Sequence, residues 1–261
     1  MIIPIYQVDA FTTKVFQGNY AAVCPLRRWL EDEELLNIAR ENNLSETAFI
    51  IQEGKDFTIR WFTPDIEMDL CGHATLASAH VIFNHLYYSQ EEIVFNSASG
   101  TLKAIKNDEF IYLDFPSRMP VPAELPEVIG SAMGKAPKEV HKSRDYVLLY
   151  ENEEEILNLK PKKEILDQIN LDPGGIIVTA PGEEVDFVSR FFTSQASIFE
   201  DPVTGSAHCS LIPFWSERLN KTDLNAKQLS ERGGELHCIL NKDRVLIGGK
   251  CVTYLKGEIY I

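Results

Sequence analysis

Phe57-Thr58-Ile59-Arg60-Trp61-Phe62-Thr63 returns 130 residues later as Phe187-Val188-Ser189-Arg190-Phe191-Phe192-Thr193. Further along, Gly72-His73-Ala74 is matched by Gly205-Ser206-Ala207, a shift of 133. Gly100-Thr101-Leu102 is matched by Gly234-Glu235-Leu236, a shift of 134. Three blocks in one order at nearly one offset mark an internal duplication, which takes precedence over any local pattern. The period is far too long for a solenoid unit. It implies two copies of one domain related by a pseudo-twofold axis. A site between such halves could offer similar groups to both faces of one small molecule, a geometry suited to moving protons on carbon.

Working outward, each copy alternates strands and helices. Residues 3–8, 47–52 and 57–63 are β-rich in the first copy, and 146–150, 175–180 and 185–193 in the second. Asp32 is the expected cap of a helix with Leu35, Leu36, Ile38 and Ala39 on its apolar face, stopped at Asn42-Asn43. Residues 160–168, with Pro161 in the first turn, are its expected counterpart. The acidic run 151–155 and the Gly-Gly pairs at 174–175, 233–234 and 248–249 are expected in turns. Two further helices, 74–86 and 206–219, are small or apolar on nearly every face, as a helix buried all round must be. Pro213 is expected to kink the second. The expected fold class is α+β: two pseudo-symmetric domains, each a curled, mostly antiparallel, barrel-like sheet around a central buried helix. Pro116, Pro120, Pro122 and Pro126 mark the linker. The expected lobes are 1–117 with the returning strand 252–261, and 118–251, with the active site in the cleft between them.

A formal charge of −14 with no Lys/Arg run argues against nucleic acid and anionic membranes as partners, because phosphate contacts need positive charge. No stretch of apolar residues is long enough for a membrane span. The first residues lack the basic start of a signal peptide. Five cysteines without paired spacing do not form a disulfide framework, and no C-x₂-C zinc spacing appears. A cytoplasmic location is therefore expected.

Each buried helix starts at a glycine loop. The first N–H groups of a helix are unpartnered, carry partial positive charge and bind anions. The loops at Gly72 and Gly205, with the following Ala74 and Ser206, are candidate holders of a small carboxylate; tight turning alone would also explain the glycines. At an offset of 130, Cys71 faces Asp201. Asp201 could transfer a proton, or simply form an Asp-Pro turn or cap. Cys71 could be a thiolate activated by the helix start, or a small buried apolar side chain. Glu46 lies where a turn enters a hydrophobic strand, where partial desolvation would raise its pKa. Composition alone does not choose it over Glu41 or Glu67. His73 could hydrogen-bond a substrate, shuttle a proton, or pack. His80 is expected to pack, and His208-Cys209 is not a metal pair, since adjacent helical residues point apart. Ser206 lacks the nucleophile-elbow pattern and suits a hydrogen-bonding role.

Together, Asn43-Leu44-Ser45-Glu46-Thr47-Ala48-Phe49, Cys71-Gly72-His73-Ala74-Thr75 and Glu200-Asp201-Pro202-Val203-Thr204-Gly205-Ser206-Ala207, with Gln17-Gly18-Asn19, resemble the PhzF-like family, named for a phenazine-biosynthesis isomerase. The resemblance runs in order along the chain. It implies a diaminopimelate-epimerase-like fold and a cofactor-independent isomerase, with no metal, acting on a small carboxylate-bearing substrate. By that analogy Glu46 is the main acid/base. His73, Asp201 and Ser206 complete the catalytic set, and Asn19, Gly72, Ala74 and Gly205 contact substrate. A homodimer is suggested by the same analogy. The two-thiol racemases of this fold carry a cysteine in each half, and here Asp201 is read as standing in the second place. A thiol-assisted epimerase using Cys71 and Asp201, or a non-catalytic binding relative, are the alternatives.

Overall fold

In the computed structural model, which describes residues 1–196 and 198–261, the chain divides into two units. They are Met1–Phe115 with Leu246–Ile261, and Pro116–Val245. In chain order the first unit begins with β1 (Ile2–Ala10), β2 (Asn19–Pro25), α1 (Asp32–Asn42), β3 (Glu46–Glu53) and β4 (Asp56–Phe62). It continues with β5 (Glu67–Met68), α2 (Gly72–His85), β6 (Glu92–Ser97), β7 (Gly100–Asn107) and β8 (Phe110–Pro116). The second unit contains β9 (Val121–Pro122), α3 (Glu127–Met133), β10 (Glu139–Lys142), β11 (Tyr146–Leu149), α4 (Glu153–Asn158), α5 (Lys163–Leu166) and β12 (Ile176–Pro181). After these come β13 (Phe187–Phe192), β14 (Glu200–Asp201), α6 (Gly205–Leu219), β15 (Asp223–Gln228) and β16 (Gly234–Asn241). The chain returns to the first unit through β17 (Arg244–Gly249) and closes with β18 (Cys251–Tyr260).

The duplication is written into the strand pairing. In the first unit β2 runs parallel to β3, and β4 parallel to β6, while β1–β2, β1–β18, β3–β4, β6–β7 and β7–β8 are antiparallel. In the second unit β11–β12 and β13–β15 are parallel, and β10–β11, β12–β13 and β15–β16 antiparallel. Parallel neighbours need a crossover. Each is supplied at the equivalent place: α1 and α2 in one unit, the α4–α5 pair and α6 in the other. Side chains repeat as well. Arg60 pairs with Glu67 and lies over the Phe62 ring; Arg190 pairs with Glu200 and lies over Phe192.

Local chemistry sets the element ends. α1 starts at a capping box between Glu31 and Glu34, so Glu31 rather than Asp32 is the cap. It stops where Asn43 turns left-handed (φ 49°), a conformation asparagine tolerates well. Its buried face of Leu35, Ile38 and Ala39 packs on Cys24, Phe49 and Phe62 of the sheet. α2 packs on β1, β2 and β3 of the same unit. A sheet covered on both faces explains the near-continuous burial of β2 and β3.

The two crossover helices are as buried as their composition requires. Polar residues survive inside α2 by bonding the preceding turn: Thr75 Oγ1 donates to Cys71 O (2.6 Å) and Ser78 Oγ to Ala74 O (2.7 Å). In α6, Pro213 lies within a continuous helix. Its missing N–H would orphan the Cys209 carbonyl, and the Arg118 N–H fills that place at 2.9 Å. Phe187, fully buried on β13, stacks on Trp215 of α6 with centroids 5.7 Å apart and planes 6° from parallel.

Four sequence expectations need correction. Residues 151–155 are not simply a turn: Asn152 accepts from the Glu155 N–H and caps α4. The helix expected at 160–168 shrinks to α5, because the crossover is shared with α4. Gly248-Gly249 lies in β17, where a side chain at 249 would strike Phe11 and Leu76 at 2.5 and 2.6 Å. The unit boundaries fall at 115 and 246 rather than 117 and 252, since Gly249 and Lys250 already pack in the first unit. Lys250 O accepts the Thr12 N–H there. No helix among the described residues is long and apolar enough to cross a membrane.

Candidate active site

In the first unit, four sequence candidates converge. Glu46 opens β3, Asn19 opens β2, Cys71 is the N-cap of α2, and His73 is the second residue of that helix. His73 Nε2 lies 2.8 Å from Glu46 Oε2. That oxygen is buried and has no aligned hydrogen-bond donor, so the contact is a close charge pair out of line with the ring N–H. Cys71 Sγ sits 3.5 Å from His73 Nδ1 and 4.0 Å from Nε2. The Asn19 amide approaches Nδ1 at 3.2 Å, and Ser45 Oγ lies 3.4 Å from the same amide while donating to Tyr20 O at 2.7 Å. Only 6 % of His73 and 7 % of Cys71 is exposed.

Burial would push the Glu46 carboxyl up, but the charge of His73, with its close contact and those of Ser45 and Cys71, outweighs it and holds the group below its ordinary range. For His73 burial pulls down, yet Cys71 and Glu46 raise the imidazole well above its usual value. The resting pair is therefore carboxylate and imidazolium. This corrects the expectation of a raised Glu46 pKa: desolvation is present, but a cation beside the carboxylate dominates it. Burial, reinforced by Glu46, raises the Cys71 thiol, so the helix start does not make it a resting thiolate. Asn19 Nδ2 faces Nδ1 and Oδ1 faces Ser45, so the amide can donate to Nδ1 of a neutral His73; with His73 charged, the amide must turn to accept from Nδ1–H. Asn19, fully buried, thus reads as a residue that orients the ring.

The pair predicts a pH signature. Relative to unfolded values of about 4.3 for Glu and about 6.5 for His, the first is lowered and the second raised. Its stabilisation is complete between those two values. It is lost toward acid as Glu46 protonates, and toward alkali as pH rises through the elevated His73 pKa. The unfolding free-energy difference between wild type and Glu46→Gln, from urea titrations, should be greatest near pH 5 to 6.5 and shrink at high pH. A difference flat across pH would contradict the pairing.

Gly18 places Asn19. Its φ is +67°, and a Cβ there would lie 2.1 Å from the Ala10 carbonyl oxygen. Backbone cannot yield as a side chain can. Gly18→Ala is therefore expected to cost about 2 kcal/mol or more, measured by urea unfolding, and to displace Asn19 from His73.

In the second unit, Asp201 ends β14 and Thr204 caps α6. Thr204 Oγ1 donates to Asp201 Oδ2 at 2.5 Å. Fully buried Gln228 ties this loop down: its Oε1 accepts the Thr204 N–H, and its Nε2 donates to Asp201 O and Thr204 Oγ1. Ser206, the second residue of α6, accepts from Arg144 Nη2 at 3.0 Å. Arg144 is fixed by a bidentate contact to buried Asp145, which also accepts the Gly175 N–H. Because a guanidinium has no acceptor, the Ser206 hydroxyl is left to donate elsewhere.

Strand pairing also corrects one equivalence. Met68 pairs with Trp61 as Asp201 pairs with Phe191. Both helix caps then fall three residues later, at Cys71 and Thr204. The counterpart of Cys71 is Thr204, and Asp201 matches Met68. The 130-residue offset had already grown to 133 by this point.

Residues 8–257 match the phenazine biosynthesis-like protein family, PhzC-PhzF. An uncharacterized isomerase of Pseudomonas aeruginosa is 45% identical over 261 residues, covering 100% of both chains. The chain belongs to the PhzF-like family. A phenazine biosynthesis protein of the PhzF family from Enterococcus faecalis, solved as a crystal structure, superposes with a TM-score of 0.96 at 47% identity, covering 100% of each chain. A probable proline racemase from Agrobacterium radiobacter shares the fold at a TM-score of 0.63 and 10% identity, covering 99% of this chain and 92% of that one. The PhzF-like chain is accordingly an isomerase with the α+β, epimerase-like fold.

Of the three carboxylates left open by sequence, Glu41 is exposed and Glu67 is paired with Arg60 in a partly exposed bridge. Only Glu46 is enclosed beside a histidine. Gly72 and Ala74 lie on either side of His73 in α2, and the Ala74 N–H points at the Cys71 sulfur. Gly205 is the first residue of α6. His80 packs as expected, bonded to Thr253 with its pKa lowered to about 4 by burial, while His208 donates from Nδ1 to Thr204 O and is likewise lowered to about 4. Ser45, Arg144, Asp145, Thr204 and Gln228 were not singled out from sequence. Ser45 and Thr204 lay inside the quoted motifs; the other three carry no local signal.

Proposed function

We propose that this PhzF-like isomerase moves a proton on a small carboxylate-bearing substrate by acid/base catalysis without a cofactor, with Glu46 as the group that takes and returns it. The observation that carries this reading is the enclosed Glu46–His73 contact at 2.8 Å. Ionised at rest, Glu46 is ready to act as a base. A carboxylate held low by a neighbouring cation is a weak base, and an incoming substrate anion would offset the His73 charge and raise Glu46's proton affinity when substrate is present. Once protonated, Glu46 can return its proton to another carbon. Backbone N–H groups at the starts of α2 and α6, at Gly72, Ala74 and Gly205, are suited to bind the negative charge of a substrate. On the strength of the duplication and the family resemblance, Asp201 and Ser206 are assigned to the same reaction, Ser206 as a hydroxyl donor.

The test is a screen of small carboxylates with the purified protein in deuterated water, followed by NMR. Exchange of carbon-bound hydrogen on at least one compound is expected, and its absence across a panel that includes cyclic and conjugated acids would count against the proposal.

One contact favours a second reading. Cys71 Sγ lies 3.5 Å from His73 Nδ1, which keeps a thiol-assisted epimerase in play. The raised thiol argues against it. Cys71→Ser is therefore expected to hold turnover within about tenfold of wild type, against the 10²–10⁴ attributable to a general base. A larger loss, with rapid inactivation by a thiol alkylator, would transfer the chemistry to sulfur.

A further inference from the structure

The Glu46, Cys71 and His73 ligand atoms all lie within 4.8 Å of one another. We infer that these three side chains form a site for a thiophilic divalent cation of the zinc class, and that its occupation blocks the proton-transfer pair. The cation site uses the same side chains as the proposed chemistry but does not depend on that chemistry being right; the block rests on it.

The donor set is one thiol, one imidazole and one carboxylate. Thiolate with imidazole selects zinc over magnesium or calcium, which prefer oxygen. Zinc bonds of about 2.3 Å to sulfur and about 2.0 to 2.1 Å to nitrogen and oxygen, at tetrahedral angles, need ligand–ligand edges of about 3.3 to 3.6 Å. The measured edges are 2.8 Å from Nε2 to Oε2 and 4.0 Å from Nε2 to Sγ. Changes of about half an ångström bring those two edges to the required spacing, and the third, between Glu46 and Cys71, lies within 4.8 Å. The other ring nitrogen, Nδ1, lies 3.2 Å from Asn19 Nδ2; a turn of that amide would bring its oxygen to accept from Nδ1–H and fix the tautomer that presents Nε2 to the ion.

A second feature points the same way. Glu46 Oε2 is buried and has no aligned donor, so an acceptor faces the cluster with part of its capacity unused. Three protein ligands leave a fourth position for water, the pattern of an open rather than a structural zinc site. On binding, the Cys71 S–H bond breaks and a sulfur–zinc bond forms; the thiol proton goes to solvent, with the Nε2 proton of His73. Neither Glu46 nor His73 could then exchange a proton with substrate.

The experiment is calorimetric titration of the chelator-treated full chain with zinc chloride, alongside cobalt(II) substitution followed by absorbance. Wild type should bind one zinc per chain and, with cobalt, show a near-ultraviolet thiolate-to-metal band. Cys71→Ser should lose that band and weaken zinc binding by more than about tenfold, as should His73→Gln. Circular dichroism confirms that each variant is folded. The pairs His237–Asp223 and His141–Glu139, outside the cluster, supply the control. Binding that survives Cys71→Ser and disappears in His237→Gln or His141→Gln overturns the inference, as does no binding by wild type. These readouts need no turnover, so failure here leaves the acid/base proposal standing, and a failed deuterium screen removes the block but leaves the cation site standing.

Discussion

Glu46→Gln should reduce turnover by about 10² to 10⁴ while leaving binding of a small carboxylate intact. The amide keeps the shape of the side chain but neither accepts a proton from carbon nor returns one. His73 loses its anionic neighbour, so the imidazole falls back toward its ordinary pKa. The backbone N–H groups at the starts of α2 and α6 are untouched, and anion binding should persist. The measurement pairs kcat on a compound found by the deuterium screen with its dissociation constant for wild type and variant. A small fall in kcat, or a collapse of binding with kcat preserved, would remove Glu46 from the chemistry and leave it as the partner that holds His73.

Phe187→Ala carries the largest expected loss of stability, about 3 to 5 kcal/mol. The ring is fully buried, stacks on Trp215 and lies 5.9 Å from the His208 ring. Both partners belong to α6, and Trp215 is itself pinned by donating Nε1–H to Thr179 Oγ1 at 2.9 Å. Truncation opens a cavity between β13 and the helix that carries Gly205 and Ser206. Urea unfolding should show the midpoint falling with little change in slope. Activity, measured well below the new melting temperature, should fall too, because the loosened helix no longer holds its first turn. Phe187→Leu, which refills most of the volume, should recover the greater part of both. A loss under 1 kcal/mol for Phe187→Ala would mean that the stack is not what fixes α6.

Much of the fold was legible because duplication is a property of order and spacing, both present in a linear string. Repeated Phe-x-x-Arg-x-Phe-Thr blocks located β4 and β13, and the apolar composition of α2 and α6 announced their burial. Misreadings occurred where nothing periodic constrains the chain. The α1 crossover has no single-helix copy, so the α4–α5 pair was taken for one helix and a turn. Gly248-Gly249 looked like a turn because glycine marks both turns and close approaches, and only the packing of Phe11 and Leu76 distinguishes them. Cys71 was matched to Asp201 by offset, although the second copy carries three more residues between β13 and β14 than the first does between β4 and β5.

By itself the sequence determined the two-copy α+β architecture, the buried helices and the motifs around Glu46, His73, Asp201 and Ser206, because burial patterns and motif spacing are local records. It also determined an acidic surface, since charge is additive along a chain. Only the tertiary structure decided that Glu46, and not Glu41 or Glu67, is enclosed with His73. It alone reversed the expected direction of the Glu46 shift and placed the Asn19 amide 3.2 Å from the ring. Those outcomes rest on distances between side chains 27 and 54 residues apart in sequence. Electrostatic effects fall off with distance in space, and a linear string carries no such distances.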